Sequence, residues 1–366
     1  MKSSKRYQRI VVKVGSSVLT SHTDSSQAAM KANLRRIVNH VAALTSQGKE
    51  VVLVSSGAIA HGLISMGKKQ RPSILAELQA AAAIGQALLM QAYTQAFEEK
   101  KLKCAQILLT RDDFHERKRY LNACNTIVSL LALGYIPIVN ENDTVSVDEI
   151  KFGDNDMLSA LVAMLIEADG LAILSDIEGL CSTYDKKKKS YSNLIKKVKS
   201  ITPDIEVIAS DTNSAVCVGG MESKIEAIKI ATKVGIPVVL ANGYSDALRI
   251  DFDNPEESDG TFFEAGAAPI ASKKHWIAFG ARCKGAVIID DGAKKAIIDK
   301  NASLLTQGIV MVEGQFLAKD VVAITDVNHA VVARGISAYS SQQLHNTKGK
   351  KAEREAVHRN DLVLLI

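Results

Sequence analysis

The chain has 366 residues, is 47% hydrophobic and carries a net charge of +5. This is ample material for a packed core and excludes a disordered chain, and no apolar run reaches the roughly 18 residues that a membrane span needs. The positive surplus suits an anionic small molecule such as a nucleotide and is too weak to argue for nucleic-acid binding.

Residues 1–9 are polar and basic, and the apolar stretch after them is too short for a signal peptide, so a cytoplasmic protein is expected. Ile10-Val11-Val12-Lys13-Val14 reads as a buried strand that runs into Gly15-Ser16-Ser17. Lys13 is costly among valines unless its charge is used. Either its head escapes past the strand end into solvent, or it clamps a phosphate. In the second case Gly15 and the serines let backbone amides approach an anion. Residues 34–46 have helical spacing and stop before Gly48. A strand at 50–54 delivers Ser55-Ser56-Gly57-Ala58 to a helix start, which is either a serine N-cap or an anion site.

Residues 74–99 form a long helix rich in Ala, Gln and Leu. A strand at 104–109, a helix at 122–133 and a strand at 136–139 follow. Asn140-Glu141-Asn142-Asp143 then supplies more polar groups than a turn requires, which fits ligand binding. Asp154, Asn155 and Asp156 open an apolar helix at 156–168. Capping needs only one of them. The surplus suggests a cluster that meets something cationic or orients cationic side chains.

A strand at 171–174 delivers Ser175-Asp176, and Gly219-Gly220-Met221-Glu222-Ser223-Lys224 opens a helix at 222–234. A lysine in a first helical turn is locally unfavourable, so this is either a glycine turn with an exposed lysine or a phosphate site. A strand at 236–240 ends the alternation.

Alternating strands and helices predict an α/β fold, mainly a parallel sheet sandwiched by helices, with ligands beyond the carboxyl ends of the strands. The acidic stretch at 251–260, with Pro255 and Gly260, reads as a boundary. The expected organisation is an α/β domain at 1–258, a linker at 259–275 and a small mostly-β domain at 276–354, with residues 355–366 packed on it. Within the small domain, strands are expected at 285–289, 308–312, 321–325 and 330–334 and a helix at 292–300.

The five cysteines, Cys104, Cys124, Cys181, Cys217 and Cys283, show no CxxC pair and no metal-ligand spacing, so reduced thiols and no protein-held metal are expected. The charge runs at 186–189 and at Lys348-Gly349-Lys350-Lys351 read as solvated loops. There is no Walker loop, and no G-x-G-x-x-G follows the first strand.

Taken together these tracts resemble the amino-acid kinase superfamily, and more closely its glutamate 5-kinase family. The resemblance covers nearly the whole chain. It rests on Val12-Lys13-Val14-Gly15-Ser16-Ser17-Val18-Leu19, Ser55-Ser56-Gly57-Ala58-Ile59, Leu108-Leu109-Thr110-Arg111, Asn140-Glu141-Asn142-Asp143, Gly153-Asp154-Asn155-Asp156, Ser175-Asp176 and Gly219-Gly220-Met221-Glu222-Ser223-Lys224. The tail resembles a PUA domain, which sibling kinases for acetylglutamate, aspartate, carbamate or UMP do not usually carry.

The resemblance implies ATP-dependent phosphorylation of the glutamate side-chain carboxylate, with Mg2+ accompanying ATP, as the first step of proline synthesis. It implies Lys13 and Lys224 on the transferring phosphoryl group and Asp156 orienting them. Ser56, Asp143, Asn155, Asn140 and Asp154 would hold glutamate. Gly15, Ser16, Ser175, Asp176 and the run from Val218 through Gly219, Gly220, Met221, Glu222 and Ser223 would lie against ATP. A homo-oligomer and feedback inhibition by proline are implied as well. RNA binding by the tail is not expected, because Asp290, Asp291, Asp299, Glu313 and Asp320 dilute its basic residues.

The chemistry of the residues agrees, since a carboxylate with a pKa near 4.3 is already an anion and needs positive charge rather than a base. One departure stands out: the family is glycine-rich where this chain reads Ala215-Val216-Cys217-Val218, so a stiffer loop is expected there.

Overall fold

The computed structural model describes residues 7–20, 27–68, 70–145, 155–185, 190–210, 220–267 and 269–365. The chain divides into two units, Met1–Arg111 with Asn122–Pro269, and Asp112–Leu121 with Ile270–Ile366.

The first unit is built on an eight-stranded sheet. Its strands in chain order are β1 (Arg9–Val14), β2 (Glu50–Ser55), β3 (Lys103–Leu109), β4 (Tyr135–Glu141), β5 (Gly170–Ser175), then β8 (Lys197–Val198), β9 (Val238–Asn242) and β10 (Thr261–Phe263). A separate hairpin, β6 (Cys181–Asp185) and β7 (Ser190–Leu194), precedes β8. The spatial order is β3-β4-β2-β1-β5-β9-β10-β8. Every pairing is parallel except that of β9 with β10.

The strands are Val/Ile/Leu runs because helices cover both faces, so both sides of the pleat are apolar. From β1 the chain steps to β2 on one side and later to β5 on the other. This reversal opens a crevice at the carboxyl end of β1, the place where ligands bind in open parallel sheets.

The helices are α1 (Ser16–Thr20), α2 (Gln27–Ser46), α3 (Ala58–Ser65), α4 (Leu75–Glu98), α5 (Arg111–His115), α6 (Arg117–Ala132), α7 (Asn155–Leu165), α8 (Pro203–Ser210) and α9 (Met221–Lys233). The second helix starts seven residues before the expected 34, because Gln27, Ala28 and Ala29 carry little apolar signal. The seventh ends at Leu165 rather than 168, where Glu167 takes a left-handed φ of 50° and the chain turns off.

Helices α3 and α4 cross backbone to backbone. A Cβ at Gly85 would lie 1.7 Å from the Ala58 oxygen, and one at Gly62 would lie 1.8 Å from the Ala81 oxygen. The paired glycines therefore bring the start of α3 and the middle of α4 to the same side of the crevice.

The expected linker at 259–275 is corrected in part, because Thr261–Phe263 is laid into the main sheet beside Val238–Leu240. The signal that misled is Gly260. It reads as a breaker, but its φ is 83° and a Cβ there would stand 2.1 Å from the Leu240 oxygen. The glycine lets the chain fold back tightly onto β9.

The second unit holds a five-stranded sheet in the order β12-β11-β13-β14-β15, from β11 (Gly285–Ile289), β12 (Ile309–Gly314), β13 (Val321–Thr325), β14 (Val331–Ile336) and β15 (Leu362–Leu364). Its helices are α10 (Ser272–His275), α11 (Asp291–Lys300) and α12 (Ser341–Thr347). The core includes Val287, Ile289, Ile297, Leu304, Val322, Ile324 and Leu344. Within this unit the Trp276 indole N–H donates to the Phe114 oxygen at 2.9 Å, and the Arg117 guanidinium lies 5.1 Å from the Trp276 ring centre.

Helix α12 was unanticipated although Ser340 and Gln343 form a full capping box, a signature present in the sequence. Among the described residues no helix is long and apolar enough to cross a membrane. The lysine run at 186–189 lies outside the described residues.

Candidate active site

Three charged side chains meet at the crevice. Lys13 lies one residue from the end of β1, in register with Val54 and Ile173 on the flanking strands. Asp156 sits in the first turn of α7, and Lys224 in the first turn of α9. All three are buried, at 5%, 1% and 6% exposure. Lys13 forms an ion pair with Asp156 Oδ1, while Lys224 Nζ lies 3.2 Å from Oδ2. The Ser223 hydroxyl donates to the same Oδ2 at 3.2 Å and to the Gly220 oxygen at 3.0 Å.

Burial alone would raise the pKa of Asp156. The Lys13 and Lys224 ammoniums outweigh it and hold the carboxyl down at about 2. Asp156 is thus ionised at neutral pH, and the trio carries one negative and two positive charges away from water. Two buried ammoniums at a crevice are weakly screened by water, so the arrangement suits an arriving anion. The lysines therefore do not take the solvent-exposed alternative that the sequence left open.

Beside this trio lies a cavity of about 90 Å³ lined by Ser16, Ser56, Gly57, Asn140, Glu141, Asp143, Asn155 and Arg71, among others. The chain gathers these groups by ending β1, β2 and β4 at one edge and starting α3 and α7 there. Asn155 Nδ2 lies 2.9 Å from each of the Ser55 oxygen, Ser56 Oγ and Asn140 Oδ1. Ser56 is therefore no N-cap. Gly57 occupies that position with a φ of 100°, and no side chain caps α3.

Two of the backbone amides in these tracts are taken up by the sheet. The Gly15 amide donates to the Leu174 oxygen at 3.1 Å, and the Ser56 amide to the Val14 oxygen at 3.2 Å. Both extend the sheet by one bond. The role left to Gly15 is smallness, since a Cβ there would stand 3.6 Å from Lys13 Nζ.

On the other side of β1, Ser175 ends β5 and its hydroxyl donates to Asp176 at 3.0 Å. Gly220, Met221 and Glu222 open α9 directly before Ser223 and Lys224, with Glu222 exposed. Asp154, Val218 and Gly219, and the variant stretch at 215–218, lie outside the described residues.

The sequence reading missed Arg71 and Gln86. Arg71 lies between helices, just before Pro72, with no motif around it. Gln86 lies on the buried face of α4. Its one sequence signal is the neighbouring Gly85, an unfavourable residue in the middle of a long helix.

The comparisons with known proteins bear on this geometry. Residues 8–242 match the amino acid kinase family, and residues 285–358 match the PUA domain. Glutamate 5-kinase from Thermoanaerobacter pseudethanolicus is 42% identical over 370 residues, covering 98% of both chains. The glutamate 5-kinase from Nitrosomonas eutropha is 43% identical over 369 residues, again covering 98% of both.

The chain belongs to the amino acid kinase family, in its glutamate 5-kinase branch.

The amino acid kinase fold is shared with carbamate kinase from Giardia lamblia, at a TM-score of 0.50 and 15% identity over 70% of this chain and 98% of that one. In this amino acid kinase the first strand, the helix-initial Asp156 and the helix-initial Lys224 meet at the sheet's reversal point.

Proposed function

We propose that this chain is a glutamate 5-kinase that transfers the γ-phosphoryl group of ATP to the side-chain carboxylate of L-glutamate. The reaction gives glutamyl 5-phosphate, the first step of proline biosynthesis. The observation that carries the reading is the buried trio of two lysines and one aspartate beside a small polar cavity.

Two anions must be brought together, and Lys13 and Lys224 lower that repulsion and stabilise charge on the transferring group. Asp156 fixes both ammoniums in place. The glutamate carboxylate oxygen attacks the γ-phosphorus, the bond from phosphorus to the β-bridging oxygen breaks, and ADP leaves with the electron pair. The nucleophile is already ionised, so no base is required.

Glutamate fits the cavity by charge. Asp143 and Glu141 suit its α-ammonium, and Arg71 suits its α-carboxylate. Ser56, Asn140 and Asn155 provide the polar wall. Ser175, Asp176 and the start of α9 at Gly220, Met221 and Ser223 suit the nucleotide, with Ser16 near its phosphates. Magnesium would travel with the triphosphate, because the one buried acid of the trio is engaged by two lysines. Cys104, Cys124, Cys181 and Cys283 are free thiols, in keeping with a reducing cytoplasm.

The test is ADP formation with glutamate, aspartate, acetylglutamate and UMP as acceptors. Glutamate should be preferred by at least tenfold, and equal rates with another acceptor would overturn the assignment. Asp143→Ala should raise the KM for glutamate by about tenfold or more while leaving ATP affinity unchanged in a titration without glutamate. An equal loss of ATP affinity would remove Asp143 from the amino-acid side.

A further inference from the structure

Helix α4 places a buried amide behind Asn140, which lines the cavity, and the reaction scheme above does not use it. Gln86 is 9% exposed. Its Oε1 accepts from Asn140 Nδ2 at 2.8 Å. Asn140 Oδ1 in turn accepts from Asn155 Nδ2 and from the Glu141 backbone amide, each at 2.9 Å. The backbone amide can only donate, so it fixes which end of Asn140 is oxygen. The nitrogen end must then face an acceptor, and Gln86 supplies it.

The three side chains thus form a head-to-tail chain of amides in one direction. The two ends, Gln86 Nε2 and Asn155 Oδ1, are buried without a hydrogen-bond partner. Leaving such groups unpaired is costly, so the order is held by its middle rather than by its ends. Reversing Gln86 would set two donors face to face. Its place is fixed by the crossing of α3 and α4 at the adjacent Gly85, and two turns on, Tyr93 OH pairs with Ser55 Oγ at 2.9 Å.

We infer that Gln86 is a positioning residue for glutamate. It accepts from Asn140 Nδ2 and so holds in place the amide whose sense the Glu141 N–H sets, and with it the Asn140 Oδ1 that accepts from Asn155, leaving Asn155 Oδ1 as an acceptor for the substrate ammonium. Gln86 touches neither the phosphoryl group nor the lysine pair, so its influence falls on amino-acid binding. This rests on the glutamate assignment above. It goes beyond that assignment in giving a residue on a neighbouring helix the task of holding Asn140 against the pocket.

The experiment compares Gln86→Met and Gln86→Glu by steady-state kinetics in the full chain. Methionine keeps the length and removes the acceptor. A buried glutamic acid is favoured in its neutral form, whose carbonyl oxygen still accepts. Q86M should raise the KM for glutamate about tenfold, the scale of one hydrogen bond, with kcat within about twofold and the KM for ATP unchanged. Q86E should stay within about threefold of the wild type.

Because Gln86 acts through Asn140, Q86M should add nothing in an Asn140→Ala background. An unchanged KM in Q86M, parallel changes in kcat and both KM values, or multiplying effects in the double variant would overturn the inference. If Q86M does not fold, Q86E decides, since a KM raised by tenfold there also overturns it. If the wild type prefers another acceptor, the glutamate assignment fails separately and the same cycle is read on that acceptor.

Discussion

Replacing Lys224 or Lys13 by alanine should lower turnover by roughly 100-fold or more, the scale for losing one preorganised charge-stabilising group. Both ammoniums are nearly sealed from water, where their fields are weakly screened and cannot be replaced by solvent. Each is also held by the same carboxylate, so loss of one frees Asp156 to engage the other more fully and cannot restore the missing charge. The KM for glutamate should move by less than about threefold, because the cavity proposed to hold it is lined by other side chains. Steady-state kinetics with both substrates varied checks this. Near-normal turnover in either variant would show that the lysine does not face the transferring group.

Asp156→Asn should have the largest effect on stability. Removing one partner from a buried ionic cluster costs about 3–5 kcal/mol, here because two buried ammoniums lose the carboxylate they share. Turnover should fall with it, since neither lysine keeps its position. The same carboxylate gives an acid signature. Its folded pKa is held at about 2, below the ordinary 3.8, so its contribution is complete above about pH 4 and is lost as the pH falls towards 2. Thermal unfolding of the wild type and of D156N, followed from pH 7 to pH 2, should give curves that converge over that window. A D156N protein as stable as the wild type at pH 7 would contradict the account of the cluster.

Much of the first unit was legible because buried parallel strands write themselves as uninterrupted Val/Ile/Leu runs, and the polar residues at their carboxyl ends stand out by contrast. Lys13 is the clearest example, a cation inside such a run with no reason to be there except its charge. Asp156 and Lys224 were legible for a related reason, as polar surplus at helix starts.

What escaped has physical causes too. That the Gly15 and Ser56 amides are used by the sheet was not legible, because a strand's last hydrogen bonds depend on how far its neighbours extend, which no local pattern records. Gln86 comes to stand behind Asn140 through the crossing of α3 and α4, a tertiary contact whose trace in the sequence is a pair of glycines, and Arg71 reaches the cavity from the segment between those helices, where no motif marks it. The short strand Thr261–Phe263 followed an acidic, glycine-ended stretch and so was read as part of a linker. Its antiparallel pairing with β9 is set by a close backbone approach at Gly260.

The second unit takes in Asp112–Leu121 as well as the C-terminal residues, with Phe114 only 2% exposed. A single cut between the two sequence families is therefore not a clean division of the fold.

In the proposed function the buried lysine and aspartate cluster directs phosphoryl transfer onto the glutamate side-chain carboxylate. The most direct measurement traps the product with hydroxylamine, which converts an acyl phosphate into a hydroxamate. The wild type with ATP and glutamate should give γ-glutamyl hydroxamate in step with ADP, and Lys224→Ala should lose both together. ADP released without hydroxamate, or hydroxamate formed at an undiminished rate by the Lys224→Ala variant, would contradict the account.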